Sequence, residues 1–255
     1  MVGLRSTRKG FLMTAKMLRR LSSVITAGLL LGPVAALAQP ASPAPATVET
    51  VDPVSIDFTL SAVSDYRFRG LSLSNKDPAF QPSITVTHES GFYASVWGSN
   101  ITDNGGDDIE VDLTAGISKD IGDLTAGALV VYYVYPGASD TNYVELQASA
   151  SHKIGPGSLG VLFAYAPKQE NIGDVSNTYV AVNGSLDIPS TPLTLTGSFG
   201  IEDGAFGNDN KNDWSLGISA TFKGFTVGAS YVDSSRTGGN PLGSAGAVFS
   251  ISKTL

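Results

Sequence analysis

The chain has 255 residues, no cysteine, 29 glycines, 13 prolines and only 15% charged residues. That length suits one large all-β domain or two small ones, and without cysteine there are no disulfides or thiolate metal sites. Its 16 Lys and Arg stand against 23 Asp and Glu, a net charge of −7, which argues against nucleic acid as a partner because phosphate recognition needs a basic surface.

The N-terminus carries six bases (Arg5, Arg8, Lys9, Lys16, Arg19 and Arg20) and no acid, followed by the apolar run "LSSVITAGLLLGPVAALAQ" with Ala36-Leu37-Ala38 near its end. A basic region, an apolar region and an A-x-A site in that order predict a secretory signal peptide over residues 1–38, cut before Gln39. The start is Met1 or Met17, since "MLRRLSSVITAG" alone makes a conventional basic region. A membrane anchor is the competing reading, disfavoured by the short run, its Gly and Pro interruptions and the adjoining cleavage site. Removal of the signal takes six of the 16 bases and no acid, leaving ten against 23, a net −13. Residues 39–53, "QPASPAPATVETVDP", are Pro- and Ala-rich and read as an extended periplasmic tail.

From residue 54 onward no segment keeps a helical apolar period or reaches membrane-helix length. Alternation by two recurs instead. In "DDIEVDLTAGISKD", Ile109, Val111, Leu113, Ala115 and Ile117 share one face, and Asp108, Glu110, Asp112, Thr114 and Ser118 the other. "TNYVELQASASHK" and "NDWSLGISATFKG" repeat the pattern. Strands are predicted near 54–69, 79–90, 92–101, 107–119, 123–135, 142–153, 158–166, 177–187, 192–202, 212–222, 224–233 and 244–254. Most have the length of about ten residues that a tilted strand needs to cross a bilayer.

The connections alternate. "LSLSNKDP", "TDNGGD", "PGASDTN", "PKQENIGDVSN", "DGAFGNDNKN" and "DSSRTGGNPLG" are long, and the turns between them are short. Long loops at one end and short turns at the other are the habit of outer-membrane barrels, and without spanning helices only a closed barrel satisfies its backbone in lipid. The predicted fold is all-β: a transmembrane antiparallel up-and-down β-barrel of about 12 strands over residues 54–255. A soluble or periplasmic β-sandwich is the alternative.

Within "FTLSAVSDYRFRGLSLSNKDPAFQPSITVTHESGFYASVWGSNI", residues 58–101, four features stand out: the S-D-Y-R-F-R-G run, the Asp77-Pro78-Ala79 step, the S-G-F-Y turn and the W-G-S-N strand end. On these the chain resembles the TorF-like porins, a proteobacterial family formerly known as a conserved protein of unknown function. The similarity continues more weakly to "FSISKTL". It implies an outer-membrane barrel of porin type in a Gram-negative cell, and names no solute.

The residues support a polar lumen. In the first strand Ser55, Asp57, Thr59, Ser61, Asp65, Arg67 and Arg69 share a face, and Ile56, Phe58, Leu60, Ala62, Tyr66 and Phe68 the other. The aromatic face is expected against lipid, with Tyr66, Phe68, Trp214 and Phe222 as girdle candidates. Arg67 and Arg69 are expected inside, because a mid-depth Arg facing lipid costs about 2–4 kcal/mol. Asp65, Glu110, Asp112 and Glu145 fall on the same inner surface. Two roles stay open for these charges: ion pairs that brace the wall, or a constriction with a transverse field that sets selectivity.

Asp77, Asp103, Asp107, Asp108, Asp140, Glu170, Asp174, Asp203, Asp209, Asp213 and Asp233 are assigned to the long loops, against Lys76, Lys168, Lys211 and Arg236. An acidic mouth would draw cations, though exposed loops also need charge for solubility or for bridging to lipopolysaccharide. "DNGGDD" and "NDNKND" lack the spacing of a calcium loop. His88 and His152 are the only histidines, both near short turns, and no G-x-S-x-G is present. No enzyme activity, cofactor or metal is expected. The strand ending "AVFSISKTL" puts Leu255 where outer-membrane strands commonly carry a final aromatic. The expected function is passive diffusion of small polar solutes or ions, with a preference for cations. The alternative is a closed structural or adhesive barrel acting through its acidic loops. The expected partners are outer-membrane lipid, lipopolysaccharide and the barrel-assembly machinery.

Overall fold

The computed structural model describes residues 53–104, 107–207 and 210–255. The predicted signal and nearly all of the tail lie outside the described residues.

The wall is built from β1 (Val54–Val63), β4 (Ala79–His88), β5 (Phe92–Asn104), β6 (Asp107–Ile121), β7 (Leu124–Val134), β8 (Tyr143–Ile154), β9 (Gly157–Ala166), β10 (Asn177–Asp187), β11 (Leu193–Gly204), β12 (Lys211–Phe222), β13 (Phe225–Ser235) and β14 (Gly246–Thr254). Two further short strands, β2 (Arg67–Phe68) and β3 (Leu71–Ser72), form a separate hairpin. Among the described residues the twelve wall strands close into an antiparallel up-and-down barrel, in which β1 pairs with both β4 and β14. Closure leaves no edge strand with unpaired backbone groups. At the seam Thr59 faces Thr254, their hydroxyls 2.9 Å apart, and the Leu255 N–H donates to the Phe58 carbonyl at 2.9 Å.

The barrel is hydrophobic outside and polar inside. Ile56, Phe92, Leu113, Val161, Val182, Leu216 and Phe249 are exposed, while Gln81, Thr85, Glu110, Asp112, Glu145, Glu202 and Lys211 are buried. A soluble domain has the opposite arrangement, so the strand alternation predicted for β6 and β12 has its apolar face turned outward to a lipid-like medium.

Three of the sequence expectations are corrected. The first strand ends at Val63, not at residue 69. Ser64 makes the last wall contacts, its N–H to Phe249 O at 2.8 Å and its Oγ accepting from Phe249 N at 2.9 Å, and the chain then turns into the barrel. Strand alternation therefore does not reach Tyr66 or Phe68. Second, "TDNGGD" is not a long loop: β5 and β6 run on until Asn104 pairs with Asp107. Third, Asp107, Lys211 and Asp213, assigned to exposed loops, are buried. Asp103 and Asp209 are not among the residues whose side chains are described.

Candidate functional site

The segment 64–78 crosses the lumen as a folded loop. It is organised by its own polar groups. Ser72 Oγ donates to Asp65 Oδ1 at 2.6 Å, Ser74 Oγ accepts from the Tyr66 N–H at 2.9 Å, and the Leu73 N–H donates to Tyr66 O at 2.8 Å. Arg69 and Gly70 take left-handed backbone angles, φ 48° and 84°, at the tip of the β2–β3 hairpin. At Gly70 a β-carbon would strike the Asp213 and Ser234 side chains, so the close approach of the tip to the wall requires glycine.

The tip delivers a guanidinium to the centre of the barrel. Arg69 Nη2 donates to Glu145 Oε1 of β8 at 2.6 Å, and Nη1 donates to Glu202 Oε1 of β11 at 2.7 Å. Its Cζ lies 4.6 Å from the centre of the Phe68 ring and 4.4 Å from that of Tyr179. Burial works against the charge of Arg69, and the carboxylates of Glu145 and Glu202 compensate it. Lys211 of β12 completes the cluster, with Nζ 2.8 Å from Glu202 Oε2 and donating to Arg69 O at 2.6 Å. Asn177 and Gln147 each donate to one of the two glutamates at 2.9 Å. Arg67 holds the rear of the loop, paired with Asp65 and donating to the carbonyls of Gly70, Leu242 and Ser244 at 3.0, 3.1 and 3.0 Å.

Around these charges lies an aromatic belt. Phe68 meets Tyr133 edge-on, Tyr133 stacks on Tyr143 with centroids 4.4 Å apart, and Tyr143 meets Phe206. Tyr179 needs the bare backbone of Gly200, where any β-carbon would collide with its ring, and from there its hydroxyl donates to Asp213 at 3.1 Å. Gly200→Ala is therefore expected to displace Tyr179, break its bond to Asp213 and destabilise the barrel by about 1–3 kcal/mol. Chemical unfolding in detergent, compared with the parent chain, checks this.

The structure thus places Asp65, Arg67, Arg69, Glu110, Asp112 and Glu145 inside the barrel. The two arginines arrive there by folding of the loop rather than by strand alternation. Tyr66, expected on the lipid face, is fully buried against Trp97, and Phe68 is half-buried against Tyr133. Both are corrections, with one cause: a charged hairpin with acid partners in the lumen draws its neighbouring rings in with it. Trp214 is half-buried and Phe222 exposed, at opposite ends of the outward face of β12. Glu202, Lys211, Asn177, Tyr133 and Tyr179 went unrecognised from the sequence. Inward parity on β11 and β12 was the signal available for Glu202 and Lys211.

The inner surface changes along its length. At the loop end Tyr133, Tyr143, Glu145, Tyr179 and Glu202 are all buried. Toward the turn end the inward positions are small and hydroxylated, and Ser149, Ser185, Ser198 and Ser215 are only half-buried. The lumen is a hydroxyl-lined vestibule that meets a packed, charged stopper.

The sequence profile of Gcw_chp, described as a bacterial protein of unknown function, matches residues 47–254. The chain is a member of the Gcw_chp family. No curated protein matches it. The fold of this Gcw_chp protein is similar to that of the NanC porin, with a TM-score of 0.52, 11% identity, and coverage of 78% of this chain and 98% of that one. It is similar to the KdgM porin with a TM-score of 0.51, 10% identity and coverage of 78% and 96%, and equally to the KdgM porin in complex with disordered oligogalacturonate. At such identities the likeness is one of fold, and the Gcw_chp chain is a porin-like barrel.

Proposed function

We propose that this Gcw_chp protein is a TorF-like porin of the outer membrane that passes small polar solutes or ions by passive diffusion and prefers cations, with the loop 64–78 as its constriction. The apolar outer face would contact lipid and lipopolysaccharide, after insertion by the barrel-assembly machinery. One observation carries the cation preference. Among the described residues seven acids are buried (Asp65, Asp107, Glu110, Asp112, Glu145, Glu202 and Asp213) against three bases, Arg67, Arg69 and Lys211. The field of such an interior attracts cations and repels anions. Diffusion needs no catalytic group, and His88 is occupied at a turn by Ser90, 2.7 Å from its Nδ1.

The packing of the loop end favours a second reading: a barrel that stays shut and acts through its external surface. Planar-bilayer recording of the purified, refolded protein under a salt gradient separates the two. Discrete steps with a reversal potential on the cation side are expected. Folded, inserted protein that gives no steps would support the closed barrel, and an anion-side reversal potential would reject the cation preference.

A further inference from the structure

We infer that Lys223 and Lys253, with the rings of Phe222 and Phe225, form a binding site for the headgroup of an anionic phospholipid on the outside of the barrel at its turn end. This rests on the reading of the apolar outer face as lipid-facing and adds a specific ligand to it.

The site is built on three neighbouring strands. Phe222 closes the outward row of β12, Phe225 opens that of β13, and the two pair across the hairpin. Phe225 pairs in turn with Lys253 of β14. Side chains opposite one another in a ladder have β-carbons about 5 Å apart, so the two rings and the lysine stem make one continuous patch. Phe222 is 69% exposed and Phe225 44%, as rings at a membrane interface are.

Both lysines stand where their residue type is unusual. Lys253 follows Phe249 and Ile251 at every second position of β14 and shares the outward parity of those exposed side chains. A lysine in a lipid-facing row is costly at mid-depth and cheap near the interface, where its stem lies on apolar surface and its ammonium reaches the headgroups. Lys223 occupies the two-residue turn Lys223-Gly224, both residues left-handed at φ 50° and 78°. Such a turn favours Asn followed by Gly, so its backbone does not account for a lysine. Each ammonium sits over a ring: Lys223 Nζ lies 5.2 Å from the centre of Phe222, and Lys253 Nζ 4.8 Å from that of Phe225. The rings hold both charges on the outer surface.

These charges have no acid beside them. Among the described residues neither lysine makes a salt bridge. β14 contains no acid, and those of β12 and β13, Asp213 and Asp233, stand at the loop end of their strands. Elsewhere the turn end is mixed, with Lys119 next to Asp120 and one turn away from Asp123. Two neighbouring ammoniums above an apolar wall suit an anion that carries apolar surface of its own. A phospholipid offers its phosphate to the ammoniums and its acyl chains to the row below them, Val227, Phe249 and Ile251. A net negative headgroup is preferred, because a zwitterionic one brings an ammonium that the lysines repel.

Native mass spectrometry of the refolded chain in detergent, titrated with phosphatidylglycerol or phosphatidylcholine, tests this. Preferential retention of phosphatidylglycerol is expected. Its affinity should fall roughly twentyfold in the Lys223→Gln/Lys253→Gln double variant, since each lysine near an anionic surface contributes about a factor of five. It should survive in Lys223→Arg/Lys253→Arg and be unchanged in Lys119→Gln. Gel mobility confirms folding, and Lys253→Gln alone serves if the double variant does not fold. Equal affinity in parent and double variant, or no preference over phosphatidylcholine, overturns the site. Displacement of the lipid by an equal concentration of inorganic phosphate would overturn it in favour of a site for the free anion. Loss of the preference from a barrel that still inserts into vesicles rejects this site alone, whereas failure of the parent to insert rejects the lipid-facing reading beneath it.

Discussion

Arg69→Ala is expected to release the loop and give larger conductance steps than the parent barrel. The variant removes the one guanidinium shared by Glu145 and Glu202. Glu202 keeps Lys211, whereas Glu145 is left with only the neutral donors Gln147 and Tyr133. Removing one partner of a buried ion pair costs about 3–5 kcal/mol, because an uncompensated charge stays behind. That loss falls on the packed state of the loop, so the stopper is the first thing to open. Two measurements check it: single-channel conductance, which should rise, and denaturant unfolding in detergent, which should shift to lower concentration. If both match the parent, the ion pairs do not hold the loop in place. The pairs themselves are weak evidence of net stability, since taking three charges out of water is costly. Their clearer effect is positional, because a planar guanidinium bonded to two carboxylates from different strands fixes where the hairpin tip sits.

Val182→Arg is expected to have the second large effect, by a different route. Val182 lies in the middle of β10 on the outward face and is 45% exposed. In a bilayer an Arg at mid-depth costs about 2–4 kcal/mol, and near an interface much less. Ser149→Arg is the partner experiment, since Ser149 is half-buried on the inner face and opens onto the vestibule. Folding yield into lipid vesicles should drop sharply for Val182→Arg and little for Ser149→Arg. Equal yields would mean that the apolar face does not meet lipid.

The wall was readable from the sequence because every strand repeats the same physics. Its apolar face needs lipid, its polar face needs the lumen, and a length of about ten residues spans the bilayer. The reading failed at residues 64–69 for an equally physical reason. "SDYRFRG" continues to alternate after the chain has left the wall, and alternation is a local property, identical in a wall strand and in a hairpin packed inside. What turns the chain inward is not local: Phe249 holds Ser64, while Glu145 and Glu202 hold Arg69. The acids Glu110, Asp112 and Glu145 could be placed inside by parity alone. Their pairing could not, since it depends on which side chain a distant loop brings to them. Lys211 and Asp213 were misplaced because their neighbourhood, "GNDNKND", has the composition of an exposed loop.

The stopper and the seam together impose an order on assembly. The loop 64–78 follows the first wall strand directly, but Glu145, Glu202 and the Lys211 ammonium lie 76, 133 and 142 residues further along the chain from Arg69. The ring itself closes only when β14 reaches β1, across the 195 residues between Thr59 and Thr254. Contacts so remote in sequence form late and slowly. For most of its folding the hairpin has no surroundings to pack against, and its two arginines stay in water. Because the hairpin's contacts span fewer residues than the seam, it is expected to dock before the ring closes, so that the wall closes around it.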